Sequence, residues 1–99
     1  MENNIVKVKT YIGFAIKSRK IKYGVDDIVK LKTADLILVS ENLAESGLKK
    51  VTTFSLSKSI KLIVLKENVF NEIIENITIK AAAILDSNLA DAIKKNLAS

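Results

Sequence analysis

Residues Asp35 to Ser40 read Asp-Leu-Ile-Leu-Val-Ser, and the four central residues form an uninterrupted apolar run. A short run of β-prone residues bounded by polar ones is typical of a strand that is covered on both faces. The stretch therefore predicts a central strand, and the segments before and after it must supply the helices that cover it.

Two helices and a short strand are predicted before this central strand. Lys20 to Tyr23 predicts a strand that is closed by Gly24, and a second helix begins at Val25 or Asp26. From Ile5 to about Ser18, apolar residues recur at intervals of three and four, which predicts an amphipathic helix. Its predicted inward residues are Ile5, Val8, Ile12, Ala15 and Ile16.

Five elements are predicted after the central strand. Glu41 to about Ser57 has helical character, with Phe54 or Leu56 among its inward residues. Ile77 to Leu85 predicts a strand, because it begins with clean alternation, although its three alanines favour helix by propensity. The remaining elements are a buried strand at Lys61 to Leu65, a helix at Val69 to Glu75, and a last helix capped by Asp86 or Ser87.

This alternation of helices and strands requires crossover connections between neighbouring strands. It predicts an α/β fold, namely a three-layer α/β/α sandwich around a small, four-stranded mixed sheet. The 99 residues fit one domain with one core, so we expect a single domain over residues 1–99.

The composition removes several classes of function. The chain has no cysteine and no histidine, which excludes disulfides, the usual zinc ligands and nucleophiles activated by histidine. Its three glycines are too dispersed for a dinucleotide fingerprint or a P-loop. The apolar runs are too short to span a bilayer, and the amino terminus lacks the apolar segment of a signal peptide. We expect a cytoplasmic protein with no enzymatic activity, no cofactor and no membrane partner.

The net charge of +5 favours a polyanionic partner. The positions of the basic residues along the chain are stronger evidence than the net charge itself. No acid lies between Ile5 and Gly24, whereas six basic residues do: Lys7, Lys9, Lys17, Arg19, Lys20 and Lys22. Net charge alone is equally explained by a solvated surface in a lysine-rich chain. The clustering predicts that the first quarter of the chain forms a basic face.

The stretch from Lys20 to Lys30 reads Lys-Ile-Lys-Tyr-Gly-Val-Asp-Asp-Ile-Val-Lys and has the profile of a binding site. Its lysines and a helix amino terminus reached through Gly24 can attract phosphate. Asp26 and Asp27 favour a helix start but repel phosphate, so they need another role. Adjacent helical residues diverge by about 100°, and no third ligand is near, so we expect no metal site.

These residues resemble a known family, the kink-turn RNA-binding ribosomal proteins of the L-seven-Ae type and their short bacterial relatives. The family signature is Lys-Ile-Lys-x-Gly followed by x-Asn-Glu-x-x-Lys, and Lys20 to Lys30 matches its spacing. Ala34 to Asn42 is similar to the family's buried strand and acidic turn, Lys49 to Thr52 to a bacterial motif, and Ala83 to Ile93 to the final strand and helix.

The resemblance implies a single RNA-binding domain that acts as a monomer on structured RNA, either a kink-turn or ribosomal RNA. Asp26 and Asp27 would face the guanines of tandem sheared G·A pairs. The turn at Asn76 to Lys80 would pack Ile77, beside Thr78, on unpaired bases. The implied contacts are Lys20, Lys22, Gly24, Asp26, Asp27, Lys30, Ile77 and Thr78, with the lysines serving the phosphate backbone.

The chain also departs from the family pattern. The family usually has Asn where Asp26 stands and Glu where Asp27 stands, and a glycine pair is absent from Val69 to Ile74. An alternating strand edge explains Ile77 as well as RNA packing does. A second hypothesis therefore remains, namely a protein-interaction or assembly module that keeps the fold and has lost specific RNA binding.

Overall fold

Residues 4–97 are described by the structure, a computed structural model, and they form nine elements. The helices and strands alternate along the whole chain, as the sequence predicts. Their bounds are α1 (Ile5–Lys17), β1 (Ile21–Tyr23), α2 (Val25–Ile28), β2 (Leu36–Ser40), α3 (Glu45–Lys58), β3 (Leu62–Leu65), α4 (Glu67–Ile73), β4 (Ala81–Ile84) and α5 (Ser87–Leu97).

The four strands form one mixed sheet in the order β1-β4-β2-β3. β4 is antiparallel to both β1 and β2, whereas β2 and β3 are parallel. The carboxyl ends of β1, β2 and β3 therefore lie at one end of the sheet, together with the start of β4. This end brings together loops that are far apart in the sequence.

β2 confirms the prediction of a central, doubly covered strand, since all five of its residues are buried. Leu36 and Leu38 pack in the core layer under α1, α4 and α5, while Ile37 and Val39 pack in the layer under α2 and α3. The helices on the two faces complete the three-layer sandwich that the sequence predicts.

The three alanines of β4 form a strand although their propensity favours helix. Ala81 and Ala83 face one core layer, and Ala82 faces the other, so each is buried in an interior strand. Tertiary packing overrides the weak local preference, because small side chains let helices approach both faces of the sheet.

Two predicted boundaries are wrong for identifiable reasons. Ile77 to Lys80 is not part of the last strand, which begins at Ala81. The third helix begins at Glu45 rather than Glu41. Glu41 instead accepts a hydrogen bond from the Glu67 backbone N–H at 2.9 Å, and Asn42 donates to the Glu67 carboxylate at 2.8 Å. These bonds tie the end of β2 to the start of α4.

Some predicted burial is also wrong. β3 lies at an edge of the sheet, and Val64 is 52% exposed. Ile16 of α1 is half-exposed because it lies one residue, about 100°, beyond the buried stripe that ends at Ala15. At the end of α3, Phe54 is buried and Leu56 is 76% exposed, which resolves that alternative.

Ser59 ends α3 in the left-handed region, with φ 57° and ψ 43°. A side chain in this region costs about 1–2 kcal/mol that glycine avoids. Part of the stabilisation gained by a glycine at this position is lost, because glycine also increases the conformational entropy of the unfolded chain. We expect Ser59→Gly to raise the free energy of unfolding by about 0.5–1 kcal/mol in urea titrations.

The matched control is Ser57→Gly within the same helix, where glycine is expected to destabilise by about 0.5 kcal/mol. Equal destabilisation by both substitutions would contradict the left-handed geometry at Ser59.

Candidate functional site

A cleft lies at the end of the sheet where β1 ends, and it is lined by Gly24 and by the turn before β4. We call it the Gly24 cleft. The Gly24 backbone N–H donates to the Ala81 carbonyl at 3.0 Å, and this bond joins the two segments. The cleft is lined by Tyr23, Gly24, Val25, Leu43, Thr78, Ile79, Lys80 and Ala81. Residues from three separate parts of the chain thus share one surface.

The conformation of Gly24 explains why a glycine lies here. Its φ is +88°, in the region that side chains rarely adopt, whereas a Cβ at this position would meet no atom within 4 Å. Backbone conformation rather than space therefore requires glycine. The chain leaves β1 at this residue and enters α2 at once.

The turn at residues 76–80 is held by its own polar groups. The Asn76 side-chain oxygen accepts from the Thr78 backbone N–H at 3.0 Å and from the Thr78 hydroxyl at 2.6 Å. The Ile79 N–H closes the turn on the Asn76 carbonyl at 3.1 Å. Such side-chain bonds compete with strand pairing. They leave Ile77 72% exposed at the tip of the turn.

The three predicted phosphate-binding lysines are exposed but do not lie at one point. Lys20 precedes β1 at the end of the sheet opposite Gly24, and its carbonyl accepts from the Leu85 N–H at 2.8 Å. Lys22 lies in the edge strand β1 opposite Ala83, so it faces the side of α2 and α3. Lys30 follows α2 in the connection to β2. The three lysines therefore do not form one phosphate cradle.

Helix α2 is one turn of four residues, which changes how an anion could be held. Its short length leaves little macrodipole, so the helix start that the sequence predicts as an anion site contributes little. Asp26 and Asp27 both lie in this turn and are exposed. Asp26 pairs with Lys50 of α3 at 3.8 Å, a contact between two solvated side chains.

Two titratable groups beside the cleft have shifted pKa values. Hydrogen bonds and charge from Glu75, and then from Glu72, raise the pKa of Lys9, which lies 3.3 and 3.4 Å from these carboxylates. The two ion pairs tie α1 to the end of α4, next to the turn at residues 76–80. Partial burial raises the pKa of Tyr23 above its ordinary value.

Sequence reasoning missed Leu43 as a neighbour of this site, and it did not predict that Lys50 pairs with Asp26. Val25, Leu43 and Lys80 line the cleft, and Lys50 pairs with Asp26. One available signal was that parallel strands end at the same edge of a sheet, which brings the loop after β2 beside Gly24. The pairing of Lys50 had no comparable signal, because it depends on the packing of α3 beside a one-turn helix.

Within residues 4–97, no group of three or more acidic side chains could hold a metal ion. None of the helices in that part of the chain is long and apolar enough to cross a membrane.

No family model matches the chain, and no curated protein matches it. Among solved structures, it is similar to a protein of unknown function from Bacillus halodurans, with a TM-score of 0.81 and 16% sequence identity. The match covers 94% of this chain and 98% of that one. A likeness at this identity supports the α/β fold alone.

Proposed function

We propose that the protein is a non-enzymatic RNA-binding protein that recognises a kink-turn or a related structured RNA, ribosomal or regulatory. One observation carries the proposal. Gly24 and residues 78–80, which belong to the two segments that the family resemblance assigns to RNA, are more than 50 positions apart in sequence and line one cleft. This proximity supports a shared RNA-binding surface.

The charged residues of the Lys20 to Lys30 stretch support a division of roles on one RNA. Lys22 lies in edge strand β1 and Lys20 directly precedes it, at the end of the sheet away from the Gly24 cleft; solvated lysines there would contact phosphates and so position the backbone. Asp26 and Asp27 lie in the first turn of α2, where their carboxylate oxygens would accept hydrogen bonds from the amino groups of the guanines in sheared G·A pairs. Ile77 offers an exposed apolar surface for a loop base.

The salt dependence of binding tests the proposal directly. With about four phosphate contacts, the logarithm of the association constant for a kink-turn RNA falls with the logarithm of salt concentration, with a slope of about −3 to −4. A gel-shift titration at several potassium chloride concentrations measures this slope. A flat dependence would overturn the proposal, because few phosphates would then be contacted.

Asp26→Asn is expected to tighten binding to a kink-turn with tandem G·A pairs by about threefold to tenfold. The amide keeps an acceptor, adds a donor and removes a negative charge beside phosphates. The lost ion pair with Lys50 is exposed and contributes little to stability.

The control is Asp91→Asn on α5, which makes the same charge change where Asp91 pairs with its helix neighbour Lys94 at 3.3 Å. Unchanged or weaker binding by Asp26→Asn would show that this position does not face a guanine. An equal gain in RNA affinity in both variants would show that the effect comes from net charge alone.

On this proposal the protein acts as a cytoplasmic monomer in a ribonucleoprotein particle. Equal, weak binding to a kink-turn and to a plain duplex would instead favour a protein-interaction module that has lost RNA specificity.

A further inference from the structure

A second, larger groove lies between the end of α2 and helix α3. It has a volume of about 550 Å³ and is separate from the Gly24 cleft. We call it the α3 groove, and it is lined by Val29, Ser46, Lys49, Lys50, Thr53 and Phe54.

The lining of the α3 groove combines an apolar floor with a cationic rim. Phe54 is buried except for 8% of its surface, and Val29 is half-buried, so both contribute apolar surface. Lys49 and Lys50 are exposed, and no acidic residue lines the groove. A ligand that complements these groups must present a flat or apolar face together with negative charge.

A nucleotide meets both requirements, because its base has an apolar face and its phosphate is anionic. The groove is also continuous with the surface proposed to bind RNA. Lys50 of the groove reaches Asp26 at 3.8 Å, and Lys30 directly follows Val29 in the chain.

We infer that the α3 groove holds an unstacked nucleotide of the same RNA, with its base over Val29 and Phe54 and its phosphate at Lys49. This inference rests on the proposed function and adds a contact that neither the basic stretch nor the turn at residues 76–80 provides. Lys50 lines the groove and also contacts Asp26 at 3.8 Å, so it lies between the groove and the proposed RNA-binding stretch.

The absence of cysteine from the chain permits a direct footprint of the groove. Thr53→Cys introduces one thiol within the groove, and Ser57→Cys introduces one further along the same helix, outside the groove lining. Alkylation by iodoacetamide is followed by mass spectrometry, with and without a saturating kink-turn RNA that carries tandem G·A pairs. We expect RNA to slow alkylation of Thr53→Cys by about fivefold or more and of Ser57→Cys by less than about twofold.

A charge variant supplies an independent measurement. Lys49→Gln is expected to weaken RNA binding by about threefold to tenfold and to reduce the salt slope by about 1. Lys58→Gln, at the far end of α3, makes the same charge change and is expected to leave both quantities nearly unchanged.

The outcomes separate this inference from the proposed function. If RNA binds with the expected salt slope while alkylation of Thr53→Cys is unaffected, the groove inference fails and the proposed function stands. If no RNA binds, both fail. Protection of Thr53→Cys by an acidic amphipathic peptide, without protection by RNA, would overturn the inference and assign the groove to a protein partner.

Discussion

Reversing the charge of Lys22 is expected to weaken binding to kink-turn RNA by at least about tenfold, which corresponds to about 1.4 kcal/mol. On the proposed function, Lys22→Glu would remove one phosphate contact and place a carboxylate next to the RNA backbone. The salt slope should become shallower by about 1. Because the side chain is exposed in an edge strand of three residues, we expect the fold to tolerate the change.

Lys61→Glu is the matched control for this prediction. Lys61 is also exposed, precedes the opposite edge strand β3, and gives the same change in net charge. Its substitution should change the affinity by less than about threefold. Equal losses in the two variants would contradict a defined RNA surface along β1 and would indicate attraction by net charge alone.

Phe70→Ala is expected to lower the free energy of unfolding by about 3–5 kcal/mol. Phe70 is fully buried in α4 and packs in the core layer that α1, α4 and α5 share with the sheet. Removing the ring loses its transfer free energy and leaves a cavity, because the two neighbouring helices cannot collapse fully into the space. A domain of this size has only about 5–15 kcal/mol in total, so the loss is a large fraction of its stability.

Urea titration followed by circular dichroism measures this loss. Leu56→Ala also truncates an apolar side chain, but at a position that is 76% exposed, and it should change the free energy of unfolding by less than about 0.5 kcal/mol. A Phe70→Ala protein within about 1 kcal/mol of the unsubstituted chain would contradict the burial of this ring.

The fold class was predictable from the sequence because its signals are local and strong. The apolar run at Leu36 to Val39 identifies an interior strand, and the spacing of Val8, Ile12 and Ala15 identifies the buried stripe of α1. Asp86 was also correctly identified as a cap, since its carboxylate accepts from the Leu89 N–H at 2.9 Å.

The wrong predictions of secondary structure and burial have two causes: hydrogen bonds from side chains to the backbone, and the order of the strands in the sheet. Alternation at Ile77 to Lys80 predicted a strand, but Asn76 closes a turn there through Thr78. The run at Lys61 to Leu65 was predicted to be buried, whereas its edge position leaves Val64 exposed. The hydrophobic periodicity of a sequence reveals neither strand order nor side-chain hydrogen bonds, so it could not have corrected either prediction.

The candidate site was predictable only in part. The glycine requirement and the exposure of Asp26 and Asp27 follow from the stretch Lys20 to Lys30. The spatial neighbours of that stretch do not follow from it. Leu43 and Lys80 line the Gly24 cleft because of the order of the strands in the sheet. The length of α2 was also not predicted, and its single turn leaves the helix little macrodipole with which to attract an anion.

The central claim, recognition of a kink-turn by its G·A pairs, is tested most directly by comparing two RNAs. One is a kink-turn with tandem G·A pairs, and the other is the same RNA with those pairs changed to Watson–Crick pairs. We predict that the change weakens binding by at least about tenfold, since each altered pair costs about 1–3 kcal/mol at a specific site. Equal affinity for the two RNAs at the same salt concentration would contradict the claim.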